Sequence, residues 1–304
     1  EVESYGTFAP GPIVFAGDGS PLQLVPRDPG RYELWDVSRQ VPIRDFHSPV
    51  AGVPAFDPAA DISPILAVTP EAKVVAAAVP LPENQSALII WNGQTGQVLR
   101  QFNPLPRLTA LALAADGGLV AVGDSQGRIT SWSLSDGQPA ARLQANYVRI
   151  HCLAFARNVQ RGNRELAPAN RAGDWVLAAG DAGGTITVWD LRWSIPRSYC
   201  RGSRHDVNAI AFSPDGMTLA SGGAAHPVLW DVATGELVCK FEPPAHQVLA
   251  LAFSPDGRHV AFGTNRRETP LASAAVWELE SGRGIGSLRG LSGLIAKVAF
   301  SPDG

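Results

Sequence analysis

The stretch Phe212-Ser213-Pro214-Asp215-Gly216 decides the fold, because it returns along the chain at regular distances. Identical copies stand at 253–257 and 300–304, and looser copies stand at 15–19 and 113–117. Proline presets φ for the second position of a type I turn, and glycine accepts the positive φ that a following bulge requires. Each copy therefore predicts a β-hairpin turn between two short strands.

Six tryptophans each close a short β-rich run, and most of them follow one of these turns. They are Trp35, Trp91, Trp132, Trp189, Trp230 and Trp277, separated by 56, 41, 57, 41 and 47 residues. A period near 41 residues that carries a turn, four short strands and a tryptophan predicts a β-propeller of four-stranded antiparallel blades. The repeated residues are then building material, which also argues against an enzyme.

The turns and three Trp-Asp pairs resemble the WD-repeat β-propeller family over nearly the whole chain. The pairs are Trp35-Asp36, Trp189-Asp190 and Trp230-Asp231. The resemblance implies a network in each blade that joins a histidine before the first strand, a Ser or Thr on the second, an Asp in the next turn, and the tryptophan.

This chain keeps only parts of that network. Repeats five and six have the histidine, as His205 and His246, and repeat five has Ser221 with Trp230. The turn at 223–227 lacks the aspartate, so the complete network is not expected in any blade. The resemblance implies structural roles for these histidines, Ser221 and the six tryptophans.

The resemblance implies one all-β domain over residues 1–304, with six complete blades and a partial seventh. The expected blades lie at about 12–46, 62–102, 108–143, 150–200, 205–241 and 246–288, and the partial blade joins 294–304 to 2–8. A domain that stopped after a hairpin turn would leave a strand edge unpaired. The sequence therefore predicts a fragment of a longer protein.

Composition excludes several classes of partner. The net charge of −3 gives no electrostatic case for nucleic acid or an anionic membrane, and no apolar run reaches eighteen residues. Lysine occurs only three times among 25 basic residues, an arginine bias that suggests a bacterial, GC-rich genome. A cytoplasmic location is expected. The arginine-containing insertion at 157–174 is interpreted either as a solvated loop or as a basic contact surface on the lower face for an acidic partner.

No residue set in the sequence predicts catalysis, a cofactor or a metal. Cys152, Cys200 and Cys239 are far apart and lack the paired spacing of a zinc site, so buried free thiols are expected. His205 and His246 occupy equivalent repeat positions, which favours a structural role. No nucleophile elbow, metalloprotease motif or phosphate-binding loop is present. The aspartates of the repeated turns are expected to cap those turns.

Three functions remain open on these residues. The first is a non-catalytic scaffold or sensor domain for protein–protein interaction, in which a rigid ring presents loops to an unidentified protein partner. The second is a propeller enzyme, such as a quinone-cofactor dehydrogenase. The third is the sensing portion of a larger bacterial signalling protein. Trp directly before Asp, with a Thr-Gly turn after it, favours the scaffold, because quinone-type blades usually place Trp after that turn.

Three connections longer than the minimal repeat predict where a partner binds. They span 47–64, 80–87 and 264–273, and the geometry of the family places all three on one face, at neighbouring positions of the closed ring. We name their side chains the predicted rim surface: Phe46, Phe56, Asp57, Asp61, Glu83, Asn84, Arg266, Arg267 and Glu268. A mixed aromatic and charged surface suits protein recognition, and independent loops are the alternative.

Overall fold

The computed structural model describes residues 12–53, 64–158, 174–201, 205–224, 226–241, 247–265, 271–292 and 295–304. Their strands form four-stranded antiparallel sheets in which each strand pairs with the next along the chain. Blade one contains β1 Ile13–Phe15, β2 Pro21–Pro26, β3 Arg31–Asp36 and β4 Val41–His47; blade two β5 Ile65–Val68, β6 Val74–Leu81, β7 Gln85–Asn92 and β8 Val98–Pro106; blade three β9 Leu108–Leu113, β10 Leu119–Asp124, β11 Arg128–Ser133 and β12 Pro139–Gln144; blade four β13 Ile150–Arg157, β14 Trp175–Asp181, β15 Thr185–Asp190 and β16 Ile195–Arg201; blade five β17 Val207–Phe212, β18 Thr218–Gly223, β19 Val228–Asp231 and β20 Leu237–Lys240; blade six β21 Gln247–Phe253, β22 His259–Asn265, β23 Leu271–Glu278 and β24 Arg283–Ser292.

The predicted all-β fold with six four-stranded antiparallel blades is confirmed. A short 3-10 turn lies at Pro70–Ala72, where blade two replaces Ser-Pro-Asp-Gly with Thr-Pro-Glu-Ala. Thr69 replaces the serine of the other turns, because its Oγ1 accepts a hydrogen bond from the backbone N–H of Val74 at 2.8 Å.

A β-bulge lies opposite every one of the six repeated tryptophans, and its extra residue is on the fourth strand. The pairing of the third strand with the fourth shifts register directly before Trp35, Trp91, Trp132, Trp189, Trp230 and Trp277. A bulge bends its own strand and increases the local twist. The outer strand of every blade is thus bent at the same position, next to the tryptophan.

The hydrophobic core lies between the blades. Five clusters of buried side chains each join two consecutive blades, and each contains or packs against the repeated tryptophan of the later blade. Trp91, for example, packs against Tyr32 and Phe46 of blade one, with ring centroids 5.6 and 5.9 Å away. Each repeated tryptophan is therefore a residue whose burial stabilises the contact between two neighbouring sheets.

Close contact between inner strands needs glycine on the second strand. A Cβ on Gly123, Gly180 or Gly222 would lie 2.8 Å or less from the first buried residue of the next inner strand: Ile150, Val207 and Val248 in turn. Gly263 of blade six has the same relation to Ile295, whose Cγ2 would be 2.5 Å from an added Cβ. The segment 295–304 therefore packs on blade six where an inner strand of a next blade would lie, although residues 295–300 are not in a strand. Residues 2–8 lie outside the described ranges.

Candidate functional site

The antiparallel order of each sheet gives the propeller two faces. Turns after the first and third strands emerge on one face, here called lower, and connections after the second and fourth strands emerge on the other, here called upper. The Ser-Pro-Asp-Gly turns lie on the lower face.

The acids of the lower-face turns are used by the turns themselves. Ser213 Oγ donates to Asp215 Oδ1 at 2.5 Å and accepts from the N–H of Thr218 at 3.0 Å. Ser254 and Asp256 repeat this arrangement in blade six. The hydrogen bonds from Ser254 and from the N–H of Arg258 hold the pKa of Asp256 below its usual value. These carboxylates are hydrogen-bond acceptors that stabilise turns.

The turn after the third strand, also on the lower face, explains why Asn92 can follow Trp91 where other blades have Trp-Asp. Asp231 Oδ1 accepts from the backbone N–H groups of Ala233 and Thr234, both at 2.9 Å. Asn92 Oδ1 accepts from Gln94 and Thr95 in the same way, also at 2.9 Å. An amide oxygen serves as well as a carboxylate because the turn needs only an acceptor.

The indole N–H groups of the repeated tryptophans find different acceptors in different blades. Trp230 Nε1 donates to Ser221 Oγ at 2.8 Å, inside the core. Trp35 donates to Glu33 Oε2 at 2.7 Å, and Trp91 donates to the carbonyl oxygen of His47 at 3.1 Å. His205, expected in the blade-five network, is exposed before β17, and His246 lies outside the described residues.

Two buried aspartates on the upper face were missed by the sequence analysis. Asp124 is 4% exposed, and its Oδ1 accepts from the N–H groups of Gln126 and Arg128. Asp181 is 1% exposed and accepts from Gly183 and Thr185. Both follow a glycine at the end of a second strand, so the signal was the Gly-Asp pair. In blade five, the blade that keeps Ser221 with Trp230, Gly223 stands in the place of the aspartate.

The predicted rim surface falls mostly outside the described residues. Glu83 and Asn84 lie on the upper face, and the residues outside the described ranges are Phe56, Asp57, Asp61, Arg266, Arg267 and Glu268. The connection that contains Glu83 and Asn84 is a three-residue turn at 82–84, with both residues at positive φ, and not a long loop, because β6 and β7 extend toward it. Phe46 is fully buried, so it belongs to the core and not to an exposed surface.

The connection between blades three and four presents the most exposed large hydrophobic side chain of the described residues. Tyr147 is 86% exposed, and Val148 beside it is 36% exposed. The connection is anchored, because Asn146 Nδ2 donates to Asp181 Oδ2 at 2.8 Å. A Cβ on Gly127 would meet the carbonyl oxygen of Asn146 at 1.9 Å, so glycine permits this close approach. The tyrosine is thus displayed from a fixed base on the upper face.

The central channel is a cavity of about 180 Å³ between the inner strands of blades two to six and the segment 295–304. Most of its lining residues are aliphatic, but polar atoms make up most of its surface, and polar side chains come from Asn208, His151 and Lys297, with the thiol of Cys152. Burial raises the pKa of the Cys152 thiol to about 12, and its Sγ lies 3.4 Å from the carbonyl oxygen of Val207. His151 Nε2 lies 3.9 Å from Asp206 Oδ2.

Neither a metal cluster nor a membrane-spanning helix appears in the described part of the chain. A group of three or more His, Cys, Asp or Glu side chains able to hold an ion is absent there. The same ranges contain no helix of the length and apolarity that crossing a bilayer would need.

Sequence comparison matches the model "WD domain, G-beta repeat" to residues 196–231 and 235–267. Relatives include the pre-rRNA-processing protein IPI3 of Mycosarcoma maydis, 26% identical over 53% of this chain and 29% of that protein. The WD repeat-containing protein SL1-17 of Schistosoma mansoni is 24% identical over 50% of this chain and 46% of that protein. The small ribosomal subunit protein RACK1y of Oryza sativa subsp. japonica is 29% identical over 43% of this chain and 34% of that protein.

The chain spans less than half the length of these curated relatives. They are eukaryotic proteins, so they give no support to the bacterial origin that the arginine bias suggested. The matched repeats and the WD-repeat relatives, together with the six four-stranded blades, support a WD-repeat β-propeller family for this chain.

Proposed function

We propose that this protein is a non-catalytic scaffold whose propeller presents its upper face to protein partners. The observation that carries the proposal is Tyr147, which is 86% exposed on a connection fixed by the Asn146–Asp181 hydrogen bond. Tyrosine is enriched among the residues that dominate protein interfaces, and an anchored loop loses little conformational entropy on binding.

The repeated polar residues support a role without catalysis. The turn aspartates, Asp124 and Asp181 accept local backbone hydrogen bonds, and Ser221 accepts from Trp230. These hydrogen bonds give each of the side chains a structural role in its own turn or blade. One relative is by name a small ribosomal subunit protein, and membership of a multi-component assembly is the role we propose here.

Capture of partners tests this proposal. We expect Tyr147→Ala to lose partners that the unaltered protein retains in affinity purification with quantitative mass spectrometry. Gln138→Ala is the matched control, because Gln138 is exposed on the lower face of blade three. Equal capture by Tyr147→Ala and the unaltered protein would show that this tyrosine is not part of the interface.

The predicted rim surface is a second part of the same proposal. Support comes from the strand order, because the connections after β4, β6 and β22 all follow second or fourth strands and so belong to the upper face. The double change Arg266→Glu and Arg267→Glu should reduce capture of an acidic partner. Arg258→Glu, on the lower face of the same blade, should not. Unchanged capture by the double variant would refute the rim surface.

We further propose that residues 295–300 begin a seventh blade. The support is the contact of Ile295 with Gly263, which repeats the contacts of Ile150, Val207 and Val248 with their glycines. Gly263→Ala should then destabilise the protein, whereas an undocked segment would make that change neutral.

A cytoplasmic location completes the proposal. Its support is that Cys152, Cys200 and Cys239 are free thiols, as is usual in reducing compartments. Localisation of a tagged protein in cells tests it.

A further inference from the structure

The polar residues of the central channel do not follow the repeat. The glycine contacts fix equivalent positions: Ile150, Val207, Val248 and Ile295 each pack on the glycine of the preceding blade. One residue further along these segments stand His151, Asn208, Leu249 and Ala296. Two residues further stand Cys152, Ala209, Ala250 and Lys297. The blades have small side chains at this last position, as Cys152, Ala209 and Ala250 show. Lys297 is therefore a residue that the fold does not require there.

Lys297 is a cation without a carboxylate partner among the described residues. The lining residues of the channel include no Asp or Glu, and no described acid lies within ion-pair distance of its ammonium. The side chain is exposed to solvent and lines the channel. Burial lowers the pKa of Lys297, and the charge of a Cys152 thiolate would oppose that shift. The ammonium is therefore open to an anion that enters the channel.

A second donor in the same cavity also lacks an acceptor. Asn208 Nδ2 is buried and makes no hydrogen bond to the described residues. Buried amide groups in folded proteins nearly always have a partner, so an unpaired one in a polar cavity indicates a ligand or ordered water. Asn208 and Lys297 come from segments almost ninety residues apart, and both line this channel.

We propose that the central channel binds a small oxyanion, a phosphate or carboxylate group, through the ammonium of Lys297 and the side-chain amide of Asn208. His151 lies on the same wall and offers a ring nitrogen to the ligand or to bridging water. Asp206, 3.9 Å from His151 Nε2, is the described acid nearest to that ring, and it keeps the imidazole side of the site partly neutralised. The ammonium selects against cations. The site is independent of the upper-face interface and does not rest on the scaffold function.

Thermal unfolding in different anions tests the site. The unaltered protein is heated in phosphate, acetate or chloride at equal ionic strength, with tryptophan fluorescence as the signal. A saturable rise in melting temperature with phosphate or acetate over chloride is expected, because a ligand that binds only the folded state stabilises it. A rise with phosphate alone identifies a phosphoryl ligand, and a rise with acetate alone identifies a carboxylate. Equal melting temperatures in all three salts would overturn the proposal.

Two variants and one control test whether the rise in melting temperature with oxyanions comes from binding in the channel. Lys297→Ala installs the residue found at the equivalent positions of blades five and six, Ala209 and Ala250, so it should fold and show no rise with oxyanions. Asn208→Leu should weaken oxyanion affinity at least roughly tenfold, since it removes a hydrogen bond to a charged group. Lys240→Ala, on the exposed strand β20, should keep the full rise. The same saturable rise in Lys297→Ala, or in Asn208→Leu should the first variant not fold, would show that anions bind elsewhere.

Discussion

Replacing Gly222 by alanine should loosen the contact between blades five and six. An added Cβ would lie 2.4 Å from Val248 Cγ1 and 2.7 Å from Val248 Cβ, where ordinary contacts begin at 3.4 Å. The neighbouring strands must therefore separate by about 1 Å at a buried position. Both residues lie inside strands, and the Cβ of Val248 is fixed to the backbone, so a change of side-chain rotamer cannot remove the contact.

The cost of this change follows from two opposing effects. Overpacking of a buried site costs about 1–3 kcal/mol. Replacing glycine also reduces the conformational entropy of the unfolded chain, which stabilises the folded state by about 0.4–1 kcal/mol. This gain applies here because Gly222 has no positive φ. We expect a net loss of about 1–2 kcal/mol in the free energy of unfolding. Gly286→Ala is the matched control, since Gly286 lies in a strand with open space around it, and that change should be neutral or slightly stabilising.

A double-mutant cycle identifies the contact responsible. Val248→Ala alone should cost about 2 kcal/mol, because two buried methyl groups are lost. In the double variant it removes the atom at 2.4 Å but leaves Cβ at 2.7 Å, so relief is partial. We expect the double variant to be at least about 0.5 kcal/mol more stable than additivity predicts.

Urea denaturation followed by tryptophan fluorescence measures these free energies. Hydrogen exchange of β18 and β21 adds a local measure, because a blade can open without the whole ring. Strict additivity of the two changes, or a Gly222→Ala variant as stable as Gly286→Ala, would refute the interpretation that glycine is required for inner strands to approach.

Three further predictions concern single side chains. Ser221→Ala should cost about 1–3 kcal/mol, because it leaves the buried indole N–H of Trp230 without its acceptor; urea denaturation measures this, with exposed Ser135→Ala as the control. Burial raises the pKa of Glu33, but the hydrogen bonds from Arg27 and Trp35 and the charges of Arg27 and Arg31 outweigh it and hold the pKa below 4.5. A lowered folded-state pKa contributes stability above pH 4.5 that is lost as the pH falls through the folded-state pKa, so Glu33→Gln should flatten the acid limb of a stability-against-pH curve, and an unchanged limb would contradict this. Burial raises the thiol pKa of Cys152 and Cys200 to about 12, so iodoacetamide at neutral pH should leave both unlabelled in the native protein and label them after unfolding; rapid native labelling of Cys200 would be incompatible with its position.

The blade repeat was predictable from the sequence because interactions between residues close in the chain determine it. The Ser-Pro-Asp-Gly turn closes within six residues through Ser213 and Asp215, so its sequence is enough to identify it. The period of the tryptophans was also sufficient to give the number of complete blades. The Gly-Asp pairs at Asp124 and Asp181 were equally local, and they could have been recognised as turn acceptors from the sequence.

Contacts between blades were decided only by the tertiary structure. The period placed Trp91 in a repeat, but only the packed ring puts it against Tyr32 and Phe46 of the preceding blade. The sequence counted Phe46 among exposed partner-binding residues because a strand end and a loop start look alike in one dimension. Its burial depends on a neighbour forty-five residues away.

The sequence by itself determined the strand order, the turns and the all-β propeller class, because pairing between consecutive strands depends on short-range spacing. It could not determine the channel, where Lys297 and Asn208 share one cavity with His151 from a third segment. Each of these residues is unremarkable in its own strand. Packing of blades four and five and the segment 295–304 around one cavity places them together, and the missing acceptor of Asn208 becomes visible only when burial is known.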